Sequence, residues 1–120
     1  MGMDVIIDQE TIWGTSTGIF ECIVDGTRSL FRDSELRCEK EIFASVDHFQ
    51  QFLALDELDE ECFNLFYSHC KKAMEEFPSS ETGKSVPQEG MPVILVNWSE
   101  LLRIMREDPR YRGQQEIPEP

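Results

Sequence analysis

Residues 18–33 read GIFECIVDGTRSLFRD, and the folding of this stretch decides the architecture. Two runs rich in β-formers flank Asp25-Gly26, a pair that tolerates the positive φ angles of a tight type I′ turn. In that register Val24 faces Thr27, Cys22 faces Ser29, and Phe20 faces Phe31, so the phenylalanines mark the core side of a hairpin. The opposite side mixes Glu21, Arg28 and Arg32 with Ile19, Ile23 and Leu30. Such a face suits a hairpin partly covered within a larger sheet. Residues 4–8, DVIID, and 11–17 are candidates for a further strand ahead of it.

Downstream the period changes. SVDHFQQFLAL, residues 45–55, predicts a short helix with Ser45 at the cap and Val46, Phe49, Phe52 and Leu53 on one face. A longer helix is capped by Asp59. Its stripe runs through Cys62, Phe63, Phe66, Cys70, Ala73, Met74 and Phe77, and Pro78 ends it. Residues 78–92 are rich in Pro, Gly and Ser and read as a loop. VILV, residues 93–96, is too short for a helix by itself and reads as a buried strand. Asn97 then caps a last helix that buries Trp98, Leu101, Leu102 and Met105.

Strands and helices do not alternate, which predicts an α+β fold. The expected sheet is small and mainly antiparallel, made of hairpin 18–33 plus strand 93–96, with about three helices on one face. The expected organisation is a single domain over residues 1–108, an internal loop at 78–92 and a polar tail at 109–120.

The chain has 120 residues, 24 acidic and 11 basic, for a net charge of −13. Phosphate backbones and anionic membranes are therefore poor partners, because binding them relies on Lys and Arg. Basic protein surfaces, cations and neutral ligands remain. The N-terminal segment does not read as a signal peptide, and Ile6 stands where a myristoylation signal needs Ser or Thr. Cys22, Cys38, Cys62 and Cys70 form no CxxC pair and read as reduced, mostly buried thiols, so the expected location is cytoplasmic.

Several chemistries are disfavoured. Gly83-Lys84-Ser85 ends like a phosphate-binding loop, but Pro78 occupies the position of the required first glycine, and the loop follows a helix and runs into Pro87. His69-Cys70 is the only close pair of soft metal ligands, and neighbouring helix positions point about 100° apart. DELDEE, residues 56–61, lacks the glycine and the terminal glutamate of an EF-hand, with Glu61 and Tyr67 in those places. Arg103, Arg106, Arg110 and Arg112 with Tyr111 form a basic cluster interrupted by Glu107 and Asp108, which suits a segment ordering on a protein partner better than a nucleic-acid patch. No cofactor, metal or catalytic residue is expected.

The acidic segment carries Asp56, Glu57, Asp59, Glu60 and Glu61. It serves either as an electrostatic lead-in to the following helix or as a docking patch for a basic partner, extended by Asp33, Glu35, Glu39, Glu41 and Asp47. The leading expectation is a small acidic binding or regulatory protein of bacterial or phage type: an inhibitor, an immunity-type protein or a nucleic-acid mimic covering a basic site. Two alternatives stay open. One is a small enzyme or ligand-binding domain with a pocket between hairpin and helices, using His48, His69 or a cysteine. The other is a homodimer completed through the hairpin's second face.

Overall fold

Ser16 ends a strand and starts a helix in a single residue: its backbone is extended, and its hydroxyl accepts from the Ile19 N–H at 3.3 Å. This cap turns residues 17–28 helical. The computed structural model, which describes residues 2–112, contains strands β1 (Gly2–Asp8), β2 (Thr11–Ser16) and β3 (Phe52–Ala54). Its helices are α1 (Thr17–Arg28), α2 (Leu36–Ile42), α3 (Ala44–Asp47), α4 (Glu60–Glu76), α5 (Glu81–Lys84) and α6 (Met91–Arg106). The fold is α+β, as the sequence predicts.

The sheet is built from other residues than expected. Its order is β2-β1-β3, with β1 antiparallel to β2 and parallel to β3. The early segments supply the hairpin, turning at Gln9-Glu10, where the Asp8 carboxylate accepts from the Glu10 N–H at 2.8 Å. Val5 pairs with both Trp13 and Leu53, so these buried residues line the inner face.

Residues 18–33 are therefore not a hairpin. Phe20, Ile23, Val24 and Thr27 are buried at the i, i+3, i+4, i+7 spacing of one helix face. Gly26 sits where α1 crosses its neighbours, and a Cβ there would lie 3.4 Å from Trp98 and 3.5 Å from Ala73. No glycine among the described residues has positive φ. The glycine serves helix packing, not a turn.

Residues 93–96 are helical too. Pro92 stands in the first turn of α6, where its missing N–H costs nothing. Val93 and Val96 are exposed, by 56 % and 67 %, while Ile94 and Leu95 pack against the core, so the run is a turn of helix rather than a central strand. The expected burial of Trp98, Leu101, Leu102 and Met105 holds. So does the stripe of α4, with Asp59 accepting from the Cys62 N–H at 2.8 Å. The helix expected at 45–55 is only the single turn α3, and Phe49 and β3 follow it. Within 78–92 the chain makes a 3-10 turn (Phe77–Ser79) and α5.

The core lies between the inner sheet face and helices α1, α4 and α6. Trp98 is fully buried at its centre, its indole N–H donating to the Cys70 carbonyl at 3.1 Å. A disulfide joins Cys38 of α2 to Cys62 in the first turn of α4, which corrects the reading of four reduced thiols. The two positions lie far apart in sequence, and only the packing of α2 on α4 brings their Cα atoms to 5.2 Å. Cys22 and Cys70 are free.

Candidate protein-docking site

The five carboxylates of the acidic segment split into two groups. Asp59, Glu60 and Glu61 open α4, and each is held by an arginine. Arg37 of α2 reaches Asp59 at 3.4 Å and Glu61 at 3.0 Å, and Arg112 pairs with Glu60 at 2.7 Å. Asp59 is also the helix cap, so this group does structural work. Asp56 and Glu57 lie in the connection from β3 to α4 and have no hydrogen bond or ion pair among the described residues.

With Glu41, these two acids border a groove of about 740 Å³. Its apolar wall comes from Ile6, Phe52 and Ala54, the outward-pointing positions of β1 and β3, with Leu58 and the α3 residues Ala44 and Ser45. A carboxylate rim over an apolar floor suits a Lys or Arg side chain, whose stem packs on hydrocarbon while its head meets the acids.

The remaining acids proposed for the patch are mostly engaged. Arg28 donates to Glu39 at 2.9 Å and makes a bidentate contact with Asp47 at 2.8 and 3.0 Å. These hydrogen bonds hold the Asp47 carboxyl below its usual range. Glu35 accepts from the Arg32 N–H and pairs with His69 at 2.9 Å. Burial alone would raise the Glu35 carboxyl, but these two partners outweigh it and lower it. Glu41 has one long contact to Arg37, at 3.4 Å, and Asp33 is exposed in a 3-10 turn. A second open groove of about 800 Å³ runs along α4 past Glu60, Glu61, Asn64 and Arg112.

Residues 18–28 form α1 rather than a hairpin strand, so dimerisation through a hairpin face loses its basis. A cavity of about 340 Å³ does lie between α1 and the 3-10 turn and α5, lined by Cys22 and Phe77 among others. His69 stacks on Phe31 with ring centroids 4.6 Å apart, while His48 bonds the Ala44 carbonyl at the end of α3. Burial pushes the Cys70 thiol up to about 11. The described residues contain no cluster of ligands able to hold a metal ion. No helix among them is long and apolar enough to cross a membrane.

The basic cluster is dispersed. Arg103 pairs with Glu100 at 2.6 Å and Glu107 at 3.0 Å, and Arg106 donates to the Tyr67 hydroxyl at 3.0 Å. Arg110 turns inward, while Tyr111 packs against Tyr67. Residues 113–120 of the expected tail lie outside the described residues. Gly83 of the false phosphate loop has a packing role: a Cβ there would collide with the Phe77 carbonyl oxygen, and Ser80 Oγ accepts from its N–H at 3.0 Å.

Phe49, expected on the apolar face of a helix, instead lies exposed beyond the end of α3. It is 94 % exposed and has φ of 62°, the left-handed region that a bulky side chain rarely adopts. Its turn is nonetheless closed, with Phe49 N–H donating to Val46 and Gln50 N–H to Ser45, each at 2.9 Å.

The site is thus an acid-rimmed apolar groove on an α+β fold. The fold recurs in a chain of the solved complex of the CdiA-CT toxin from Burkholderia pseudomallei E479 with its cognate CdiI immunity protein. The match has a TM-score of 0.76 and 18 % identity, over 92 % of this chain and 99 % of that one. At this identity the likeness is one of fold. No family model and no curated protein sequence matches the chain.

Proposed function

We propose that this chain is an immunity-type inhibitor, acting in the cytoplasm by covering a basic surface of a toxin-like protein. The observation that carries the reading is a near full-length likeness of fold to a chain of a toxin–immunity complex, in a protein of net charge −13. Of the two roles in such a complex, the acidic chain suits the inhibitor, since carboxylates steer and hold a basic partner. The same charge repels nucleic acid.

Asp56 and Glu57, free of internal partners, are the acids of the segment best able to engage another protein. Asp59, Glu60 and Glu61 contribute field while holding α4. The test is co-expression with the polypeptide encoded beside this chain, scored by growth and by co-purification. The wild type is expected to protect. Asp56→Asn with Glu57→Gln should keep the fold and slow association about tenfold at low salt, with less effect at high salt. Absence of protection by the wild type would sink the reading, and undiminished low-salt association by the double variant would sink its electrostatic basis.

A further inference from the structure

We propose that the outer face of the sheet, with Phe49 as its aromatic anchor, is the surface that docks the partner. The partner it fits presents an apolar pocket bordered by Lys or Arg. This deepens the immunity reading and rests on it for the identity of the partner. Three observations converge here.

Helices α1, α4 and α6 pack on the inner face, while outward positions of the strands form an apolar floor beside the exposed Asp4. Ile12 is 60 % exposed there, opposite Ile6, and Phe52 and Ala54 continue the floor across β3. Phe49 stands in the turn between α3 and β3, the two elements that wall the groove, and that turn is tied to the sheet by the Asp4 N–H donating to Gln51. Full exposure and a left-handed backbone are separately unfavourable for phenylalanine, and a glycine would relieve both. Their coincidence on a turn fixed by two hydrogen bonds is the pattern of a residue kept for contact.

Charge selects among the apolar patches. Glu41, Asp56 and Glu57 rim this groove, so its complement is cationic. The competing groove beside Val96 on α6 is lined by Glu100, Arg103 and Arg106, and Glu100 is already paired with Arg103, so it offers a basic partner no free carboxylate.

The test pairs a variant with a probe that needs no knowledge of the partner. Phe49→Gly keeps the backbone conformation, so thermal stability should be equal or higher while capture of the neighbouring-gene polypeptide weakens about 30-fold, as for an aromatic hot spot. Separately, an alternating Lys-Leu peptide should shift the backbone amides of residues 4–8 and 49–58 in NMR spectra. A Lys-Ser counterpart should do so far less. Undiminished capture by Phe49→Gly, or peptide shifts centred on α6, overturns the proposed surface and leaves the immunity reading standing. Failure of the wild type to protect overturns that reading alone, and the peptide map still decides the surface.

Discussion

The Arg110 guanidinium donates to the Leu55 backbone carbonyl at 2.7 Å, tying the end of the described chain to the end of β3. The same side chain reaches the Leu58 carbonyl at 3.0 Å and the Ile7 carbonyl at 2.9 Å. It lies over the Phe63 ring at 4.2 Å and pairs with Asp108, whose side chain is only 3 % exposed. Three carbonyls that end strands or begin turns thus share one cation. Arg110→Ala strands them and leaves a buried carboxylate unpaired, with an expected loss of about 3–5 kcal/mol. Lysine offers no planar fork, so Arg110→Lys should recover little. Urea denaturation of both variants measures this, and a loss below about 1 kcal/mol would place Arg110 among ordinary surface pairs.

Acid should erase part of that difference. Burial by itself would raise the Asp108 carboxyl, but the Arg110 side chain and N–H outweigh it and hold it below the usual range. A depressed native pKa gives stability that is present above the unfolded value, about 3.9, and lost as pH falls through the native one. In Arg110→Ala burial and the residue-110 N–H remain while the guanidinium is lost, so the carboxyl is held down less than in the wild type. The stability gap between wild type and Arg110→Ala should therefore be constant near neutral pH and shrink as pH falls below about 4. Comparing the two proteins cancels the change in overall charge repulsion. A gap independent of pH would detach Asp108 from the effect.

Gly26 separates the observed helix from the expected hairpin by a single methyl group. An alanine Cβ would sit 3.4 Å from Trp98 and 3.5 Å from Ala73, at van der Waals contact. Alanine also favours a helix interior over glycine by about 1 kcal/mol, so Gly26→Ala should be neutral to stabilising. In a type I′ turn the same change would cost stability, because alanine resists positive φ. Gly26→Leu should lose about 1–3 kcal/mol through overpacking against Trp98. Thermal melts of the two variants distinguish the architectures.

The sequence was legible where pattern and cap agreed. α4 combines an apolar stripe with identifiable ends. The second half of α6 buries the expected residues, although Asn97, expected as its cap, lies inside the helix and donates to the Val93 carbonyl at 2.8 Å. α1 was misread because Phe20, Ile23 and Val24 suit a half-buried strand nearly as well as a helix face, and Gly26 resembles turn chemistry although it serves Trp98. At 93–96, apolar character was taken for burial, yet Val93 and Val96 face outward. β3 is three residues long, too short to show a period. The acidic segment was visible as charge, but its division was not, since Arg37 and Arg112 come from other parts of the fold. Phe49 fits an apolar helix face by spacing, but its exposure and left-handed conformation arise only from the turn that ends α3.

The Cys38–Cys62 disulfide closes a segment whose ends are 24 residues apart in sequence. Constraining a loop of that size in the unfolded chain should stabilise the protein by about 3–4 kcal/mol. Both cysteines are buried, so reductant should act mainly through unfolding, and the urea midpoint of the reduced protein should fall by the corresponding amount. Exchange with the other thiols is disfavoured. Burial pushes the Cys70 thiol up to about 11, and burial together with Asp25 and Glu21 raises that of Cys22, so neither presents much thiolate at neutral pH. The folded oxidised protein should therefore keep its 38–62 pairing at pH 7, as peptide mapping after alkylation would show. Cys38→Ala with Cys62→Ala should reproduce the stability of the reduced form to within the cost of the two vacated sulfurs. A double variant as stable as the oxidised protein would mean that packing of α2 on α4, rather than the covalent bond, holds this corner together.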